Sequence, residues 1–236
     1  MKKILASDYD GTFYLNEKNI KENVKEVKDF RKKGNIFMIA TGNNYENFIK
    51  TVNKYHIEYD YLILDDGGMI IDNKNNVISA NFIDSDIVKE ISNVIRKECG
   101  NISIYNQWKE IEKGRKTKIT KISTQINDVK TAKRFAKKIN KLYKNYIHAY
   151  TMIFKDVNIV EIISNKIDKK EAIQKISDIE KVNNSNVYVV GDGYNDLNMI
   201  KHFNGYCMRN SVSELLESCE NQVPSVSNLI ENIVNI

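Results

Sequence analysis

Two carboxylates spaced two residues apart, Asp8 and Asp10, follow directly on the apolar run Ile4-Leu5-Ala6, with Gly11 and Thr12 behind them. Three more apolar runs stop in the same way at small polar residues: NIFMIA at Thr41-Gly42-Asn43, YLIL at Asp65-Asp66-Gly67-Gly68, and NVYVV at Gly191-Asp192-Gly193-Tyr194-Asn195-Asp196. A single Asp-x-Asp-Gly stretch is as readily a turn as a site, because Asp and Gly both favour turns. Four such clusters, each closing a strand-sized run, are poorly explained as turns alone. If their strands share one parallel sheet, the clusters meet at one edge, the crevice where open α/β sheets bind ligands. Asp8, Asp192 and Asp196, with Asp10 close by, would then push each other's pKa upward unless a cation intervened. An oxygen-only donor set suits Mg²⁺, since no nearby His or Cys offers a softer ligand. An EF-hand calcium loop does not fit, because Gly11 is the fourth residue counted from Asp8 rather than the sixth, and the flanking helices are missing.

The elements that must position these residues follow from hydrophobic periodicity. NIKENVKEVKDFRKKG carries Ile20, Val24, Val27 and Phe30 at helical spacing and stops at Gly34, between the strands KKILAS and NIFMIA. NYENFIKTVNKYH reads as the next helix and YDYLIL as the next strand. The last third resumes with a helix over 168–181, the strand NVYVV, a helix near 195–202, the strand GYCM and helices beyond Ser211. Such alternation predicts βαβ units around a parallel sheet. The middle breaks the pattern: a helix from Asp84 to Cys99, strands NISIYNQWKEI and KTKITKIST, a helix from Val129 to Tyr143, and strands HAYTMIF and NIVEII, with turns at EKGR and KDV. The fold class expected is therefore α/β, a parallel-sheet core over residues 1–81 and 165–236 interrupted by an αββαββ unit over 82–164.

Composition narrows the function classes. With 236 residues, 42% of them hydrophobic, the chain can bury one large core or a core plus a smaller companion. Its apolar runs are strand-sized, and MKKILASDYD meets acid too soon for a signal peptide, so a cytoplasmic location without a membrane partner is expected. Cys99, Cys207 and Cys219 are odd in number and lack CxxC spacing, which suggests reduced thiols rather than a disulfide framework or zinc site. A formal charge of +5 with interspersed acids tolerates anionic ligands but falls short of a nucleic-acid signature.

Taken in order, Asp-x-Asp-Gly-Thr after the first strand, Thr-Gly after the second, a lysine opening a later helix and Gly-Asp-Gly-x-Asn-Asp after the fourth resemble the haloacid dehalogenase superfamily of phosphotransferases. The insertion after the third core strand is similar to the cap of its Cof-type sugar-phosphatase branch. The resemblance spans essentially the whole chain and implies a Rossmann-like core whose Asp8 attacks phosphorus to form an aspartyl-phosphate, later hydrolysed by water. A carboxylate approaching a phosphate dianion meets repulsion of about 8 kcal/mol, for two unit-charge pairs at about 4 Å and an effective dielectric of about 20. In the family, Mg²⁺ and a lysine cancel it. Here the resemblance assigns the metal to the side chains of Asp8 and Asp192 and the main-chain carbonyl of Asp10, leaving the Asp10 side chain as general acid and base. It further implies that Thr41 and the Gly42 amide hold the phosphoryl group and that Lys169 neutralises charge. Asn195 joins the phosphate-binding set and, with Asp196, orients Lys169 and the metal's water. Asp168 as helix N-cap favours Lys169 in the first turn, although Lys166 and Lys170 are close rivals.

The chain also departs from that branch. Many Cof-like members carry arginine where this chain has Asn43, Asn-Gly-Ala where it has Asp66-Gly67-Gly68, and glycine where it has Lys170. These departures bear on substrate choice more than on hydrolysis. The basic run containing Lys109, Lys113, Arg115, Lys116, Lys118 and Lys121 reads first as the solvent side of a hairpin and second as an attractor of anions. Trp108 and Tyr105 read as packing residues, and His56, His148 and His202 share no metal-ligand spacing. The function expected is Mg²⁺-dependent hydrolysis of a small phosphate monoester, such as a sugar phosphate or phosphoglycolate-like metabolite, by a monomer or homodimer. A phosphomutase, a non-enzymatic ligand-binding regulator and a nucleic-acid binder are the rivals, the last disfavoured by the shortage of arginine-aromatic interleaving.

Overall fold

The computed structural model describes residues 1–101, 103–105, 118–153 and 155–234. The chain divides into two compact units, Met1–Ile78 with Asp168–Ile236, and Ser79–Ile167. No described helix is long and apolar enough to cross a membrane.

The first unit is built on strand β1 (Ile4–Ser7), whose residues are all buried. It is followed by α1 (Glu17–Lys32), β2 (Ile36–Ala40), α2 (Tyr45–Tyr55), β3 (Tyr61–Leu64), β4 (Met69–Asp72) and β5 (Val77–Ala80). Periodicity and caps explain the helices. Asn16 and Asn44 accept backbone N–H bonds at the starts of α1 and α2, and α1 buries Ile20, Val27 and Phe30 on one stripe. Val24, expected on that stripe, is half-exposed, and Asn23 is buried instead because its amide donates to Phe13 O at 2.8 Å and its oxygen accepts from Ser227 N.

The second unit contains α3 (Ser85–Glu98), β6 (Ser103–Tyr105), β7 (Lys121–Ile126), α4 (Val129–Tyr143), β8 (Ile147–Ile153) and β9 (Asn158–Ser164). Its antiparallel sheet runs β6-β7-β9-β8. Ile91 and Ile95 of α3 and Ala132, Phe135, Ala136 and Ile139 of α4 pack with Ile122, Val160, Ile162 and Ala149 into a core of its own. Strand β7 begins later than expected, since Ile119 O accepts from Ile83 N at 2.8 Å rather than from a partner strand. Lys121 also departs from the surface reading: it is buried, 2.9 Å from Glu161 Oε2, which Tyr150 Oη reaches at 2.6 Å. The turn EKGR, Trp108 and the lysines and arginine over 109–116 lie outside the described residues.

The chain then returns to the first unit as α5 (Lys169–Glu180), β10 (Val187–Gly191), α6 (Leu197–His202), β11 (Asn204–Met208), α7 (Ser213–Ser218), β12 (Gln222–Val223) and α8 (Val226–Val234). The sheet order is β12-β11-β10-β1-β2-β3-β4-β5. Strands β12 through β3 run parallel, as alternation predicts, but β4 is antiparallel to β3, so the sheet is mixed. The reversal comes from a one-turn 3-10 helix at Asp65–Gly67 that pairs Leu64 with Met69. A second turn follows, where Asp72 Oδ1 accepts from Lys74 N and Asn76 N, both at 2.8 Å. Register places the site: Ser7 is level with Val190 on one side and Ile39 on the other, and Ile39 is level with Leu62. Asp8, Thr41, Asp65 and Asp192 therefore leave the sheet at the same end.

Candidate active site

Strand β1 delivers Asp8 buried, 7% exposed, and Asp10 exposed, with Tyr9 between them turned into the core against Phe48 at 4.9 Å. The loop closes on itself: Phe13 N donates to Asp8 O, Tyr14 N to Tyr9 O and Gly11 N to Tyr14 O. Gly11 sits at φ +82°, and a Cβ there would lie 2.3 Å from Asp192 Oδ2, so only glycine fits both the backbone and the neighbouring acid. Thr12 Oγ1 donates to Asp192 Oδ1 at 2.6 Å, fixing the acid that β10 presents beside Asp8.

Lys169, the first residue of α5, is buried with its ammonium 2.7 Å from Asp8 Oδ1 and 2.8 Å from Asp196 Oδ1. Asp168 caps that helix by accepting from Lys170 N at 2.7 Å. Gly67 (φ +109°) makes the approach possible, since a Cβ on it would come within 2.6 Å of Asp168 O. Of the lysines at 166, 169 and 170, the structure turns the second into the site. Lys170 instead pairs with Glu171.

Asp196 is fully buried, and its Oδ2 accepts from Asp192 N and Gly193 N, each at 3.0 Å. It thereby shapes the β10–α6 loop with one oxygen and holds Lys169 with the other. Asn195 is exposed, and its amide donates to Asp66 Oδ1 at 2.9 Å. Asp66 is buried in the left-handed region (φ 57°), and a Cβ on Gly42 would sit 3.3 Å from both its oxygens. Thr41 is buried, and Asn43 Nδ2 bridges its hydroxyl and the carboxylate of Asp10 at 3.0 and 2.7 Å. Sequence reasoning assigned no role to Thr12 and read Asn43 and Asp66 only as departures bearing on substrate choice. The signal available for them was membership in the polar clusters that close the strands.

Electrostatics separate the groups. Burial pulls the Lys169 pKa down, but Asp196, Asp8 and Asp66 outweigh it and hold the ammonium protonated. Burial pushes the Asp8 carboxyl well up against the pull of Lys169, with Asp196 and Asp192 adding to the rise. Asp192 is raised as well, by burial first and Asp196 next, despite the hydrogen bond from Thr12. Among the described residues, the ligand atoms of Asp8, Asp192 and Asp196 come within 4.8 Å of one another. Asp196 already spends its oxygens on Lys169 and two backbone amides. Asp8 and Asp192 remain as two crowded carboxylates short of positive charge, and that donor set fits a hard divalent cation. A fixed carboxylate beside a buried ammonium and a cation site can act as a nucleophile toward an anionic electrophile.

The sequence pattern of the haloacid dehalogenase-like hydrolases matches residues 5–111 and 101–229. A protein of Buchnera aphidicola subsp. Baizongia pistaciae bearing the name "Putative phosphatase" is 28% identical over 250 residues, spanning 92% of this chain and 90% of that one. Among solved structures, the fold is similar to a haloacid dehalogenase-like hydrolase from Bacteroides thetaiotaomicron, with TM-score 0.82, 18% identity and coverage of 99% and 100% of the two chains. It is also similar to the sucrose-phosphatase of Synechocystis sp. PCC6803, solved with sucrose and phosphate, with TM-score 0.70, 17% identity and coverage of 100% and 98%.

Proposed function

Because the chain belongs to the haloacid dehalogenase-like hydrolase family, we propose that it is a Mg²⁺-dependent phosphatase that hydrolyses a small phosphate monoester through an aspartyl-phosphate on Asp8. The observation that supports this most is the buried Lys169 ammonium clamped between Asp8 and Asp196, with Asp192 alongside, at the edge where the parallel strands end. Asp8 and Asp192, with the main-chain carbonyl of Asp10, are the groups we assign to Mg²⁺. Bound there, the ion would offset the charge of nucleophile and phosphate and help align them.

The chain's own residues supply the rest. Asp8 forms a bond to phosphorus as the bond from phosphorus to the leaving oxygen breaks, and Asp10 gives its proton to that oxygen. A water then attacks phosphorus and passes a proton to Asp10, the bond to Asp8 breaks, and inorganic phosphate leaves with both aspartates regenerated. Lys169 holds Asp8 in one rotamer throughout and cancels part of the repulsion between anions. Thr41 and the Gly42 amide are assigned to the phosphoryl oxygens. Asn195, tied to Asp66, is assigned to the same rim. We assign substrate choice to the second unit, which has its own apolar core and can vary without disturbing the strands that carry the site.

The test is phosphate release from a panel of phosphorylated metabolites, with and without Mg²⁺, by the unaltered chain and Asp8→Asn. Near-complete loss of turnover with an unchanged melting temperature is expected for the variant. Comparable turnover without the Asp8 carboxylate would overturn the nucleophile assignment, and an isomerised hexose phosphate without free phosphate would mark a mutase instead.

A further inference from the structure

We propose that Asn43 is a positioning residue that ties the Asp10 carboxylate and the Thr41 hydroxyl into one arrangement. The inference rests on the phosphatase reading of the same site and adds to it the group that aims its acid. Asn43 Nδ2 lies 2.7 Å from Asp10 Oδ2 and 3.0 Å from Thr41 Oγ1. Asp10 Oδ2 and Thr41 Oγ1 both accept from this nitrogen, so the amide presents its two N–H donors here, one to each oxygen, and leaves the other carboxyl oxygen of Asp10 free to carry the proton. The backbone N–H of Asn43 reaches the same Thr41 Oγ1 at 3.1 Å.

Two consequences follow from that count of donors. Thr41 Oγ1 has two lone pairs, and both now accept, so what the hydroxyl has left to offer is its own proton. It is left to act as a donor, which suits a phosphoryl oxygen. Asp10, in turn, is exposed on its loop, and the Asn43 amide selects one orientation of its carboxylate. Asn43 can do this because its own backbone is held: its carbonyl accepts from Asp65 N at 3.1 Å, Thr41 O accepts from Asp66 N at 3.0 Å, and Thr41 N donates to Ile63 O at 2.8 Å. The next residue, Asn44, caps α2. A strand end held by backbone hydrogen bonds thus carries a short amide that reaches across to the exposed member of the acid pair. Orientation of this kind is where a general acid draws much of its effect.

The experiment compares the unaltered chain with Asn43→Ala, which deletes the amide, and Asn43→Asp, which keeps its shape but presents an acceptor to Asp10. Leaving-group release is followed in a single turnover with Mg²⁺, for nitrophenyl phosphate and for the alkyl phosphate the unaltered chain turns over fastest. An alkoxide needs a proton to depart, whereas nitrophenolate does not, so the ratio of the two rates reports the acid. Being a ratio, it is unaffected by the fraction of a sample that is folded, and it cancels any loss of phosphate contact from Thr41. Both variants are expected to lower the alkyl rate by about tenfold or more while lowering the aryl rate less than about threefold. Equal falls on the two substrates, or no fall on the alkyl one, would overturn the positioning role. If the unaltered chain releases no phosphate, or Asp8→Asn is as active, the phosphatase reading fails and this inference with it. If those controls behave and only the ratio is flat, Asn43 alone has been misassigned.

Discussion

Replacing Lys169 by methionine removes one charge while keeping most of the volume of a buried side chain. The ammonium lies 2.7 Å from Asp8 Oδ1 and 2.8 Å from Asp196 Oδ1. At those separations and an effective dielectric of about 20, each attraction is about 6 kcal/mol before desolvation. Desolvating three charges offsets much of that, and deleting one partner of a buried ion pair costs about 3–5 kcal/mol net, because the carboxylates left behind have no counter-charge. For a chain of this size, about 2–4 °C per kcal/mol translates into a fall in melting temperature of about 6–20 °C. Lys170→Met is the control, one residue along the same helix. Its ammonium pairs with Glu171 at the surface, where such pairs contribute about 0–1 kcal/mol. Turnover should fall as well. If Lys169 cancels even about 3 kcal/mol of the repulsion between Asp8 and a phosphate dianion, phosphate release drops by about 10². Thermal melting and phosphate release on both variants check the two effects separately. A Lys169→Met protein that melts with Lys170→Met and turns over like the unaltered chain would refute the reasoning from buried charge.

Two further outcomes test the cation site and the electrostatics away from it. Mg²⁺ at about 100 times its dissociation constant should stabilise the protein by about 2.7 kcal/mol, and Asp192→Asn should shrink the resulting thermal shift; a shift of equal size in that variant would remove Asp192 from the ligand set. Burial raises the carboxyl of Glu180, but hydrogen bonds from Lys2 and Tyr61 outweigh it and hold the group below its usual 4.5. A depressed acid contributes stability that is full above its unfolded value and lost as pH falls through the folded one. Glu180→Gln should therefore be less stable than the unaltered chain at pH 7, by about 1–2 kcal/mol, with the gap closing as pH drops below 4.5. A gap that widened on acidification would reverse the assigned sign.

Much of this protein is determined by local sequence. Apolar runs of strand length, helical stripes such as Ile20-Val27-Phe30 and the caps Asn16, Asn44, Asp128 and Asp168 act over a few residues, so they can be read without a fold. The acid clusters at the strand ends are legible for the same reason, since Asp and Gly mark where a buried strand must turn. Strands β4 and β5 escape such a reading. They are short, and the reversal depends on Asp65 and Asp66 adopting left-handed backbone, which their residue types permit but do not require.

Tertiary structure alone decided which charges meet. The Asp168 cap only favours Lys169 over its close neighbours Lys166 and Lys170, and its burial follows from Gly67 letting α5 approach the sheet edge. Lys121, read as a surface charge, is buried because Glu161 lies on the neighbouring strand, itself held by Tyr150 of the strand beyond, both far from Lys121 in sequence. The bridge from Asn43 to Asp10 and Thr41 likewise joins β1 to β2 across 33 residues. Periodicity and turn chemistry are properties of a short stretch of chain, whereas ion pairing in a low-dielectric interior depends on which stretches come together.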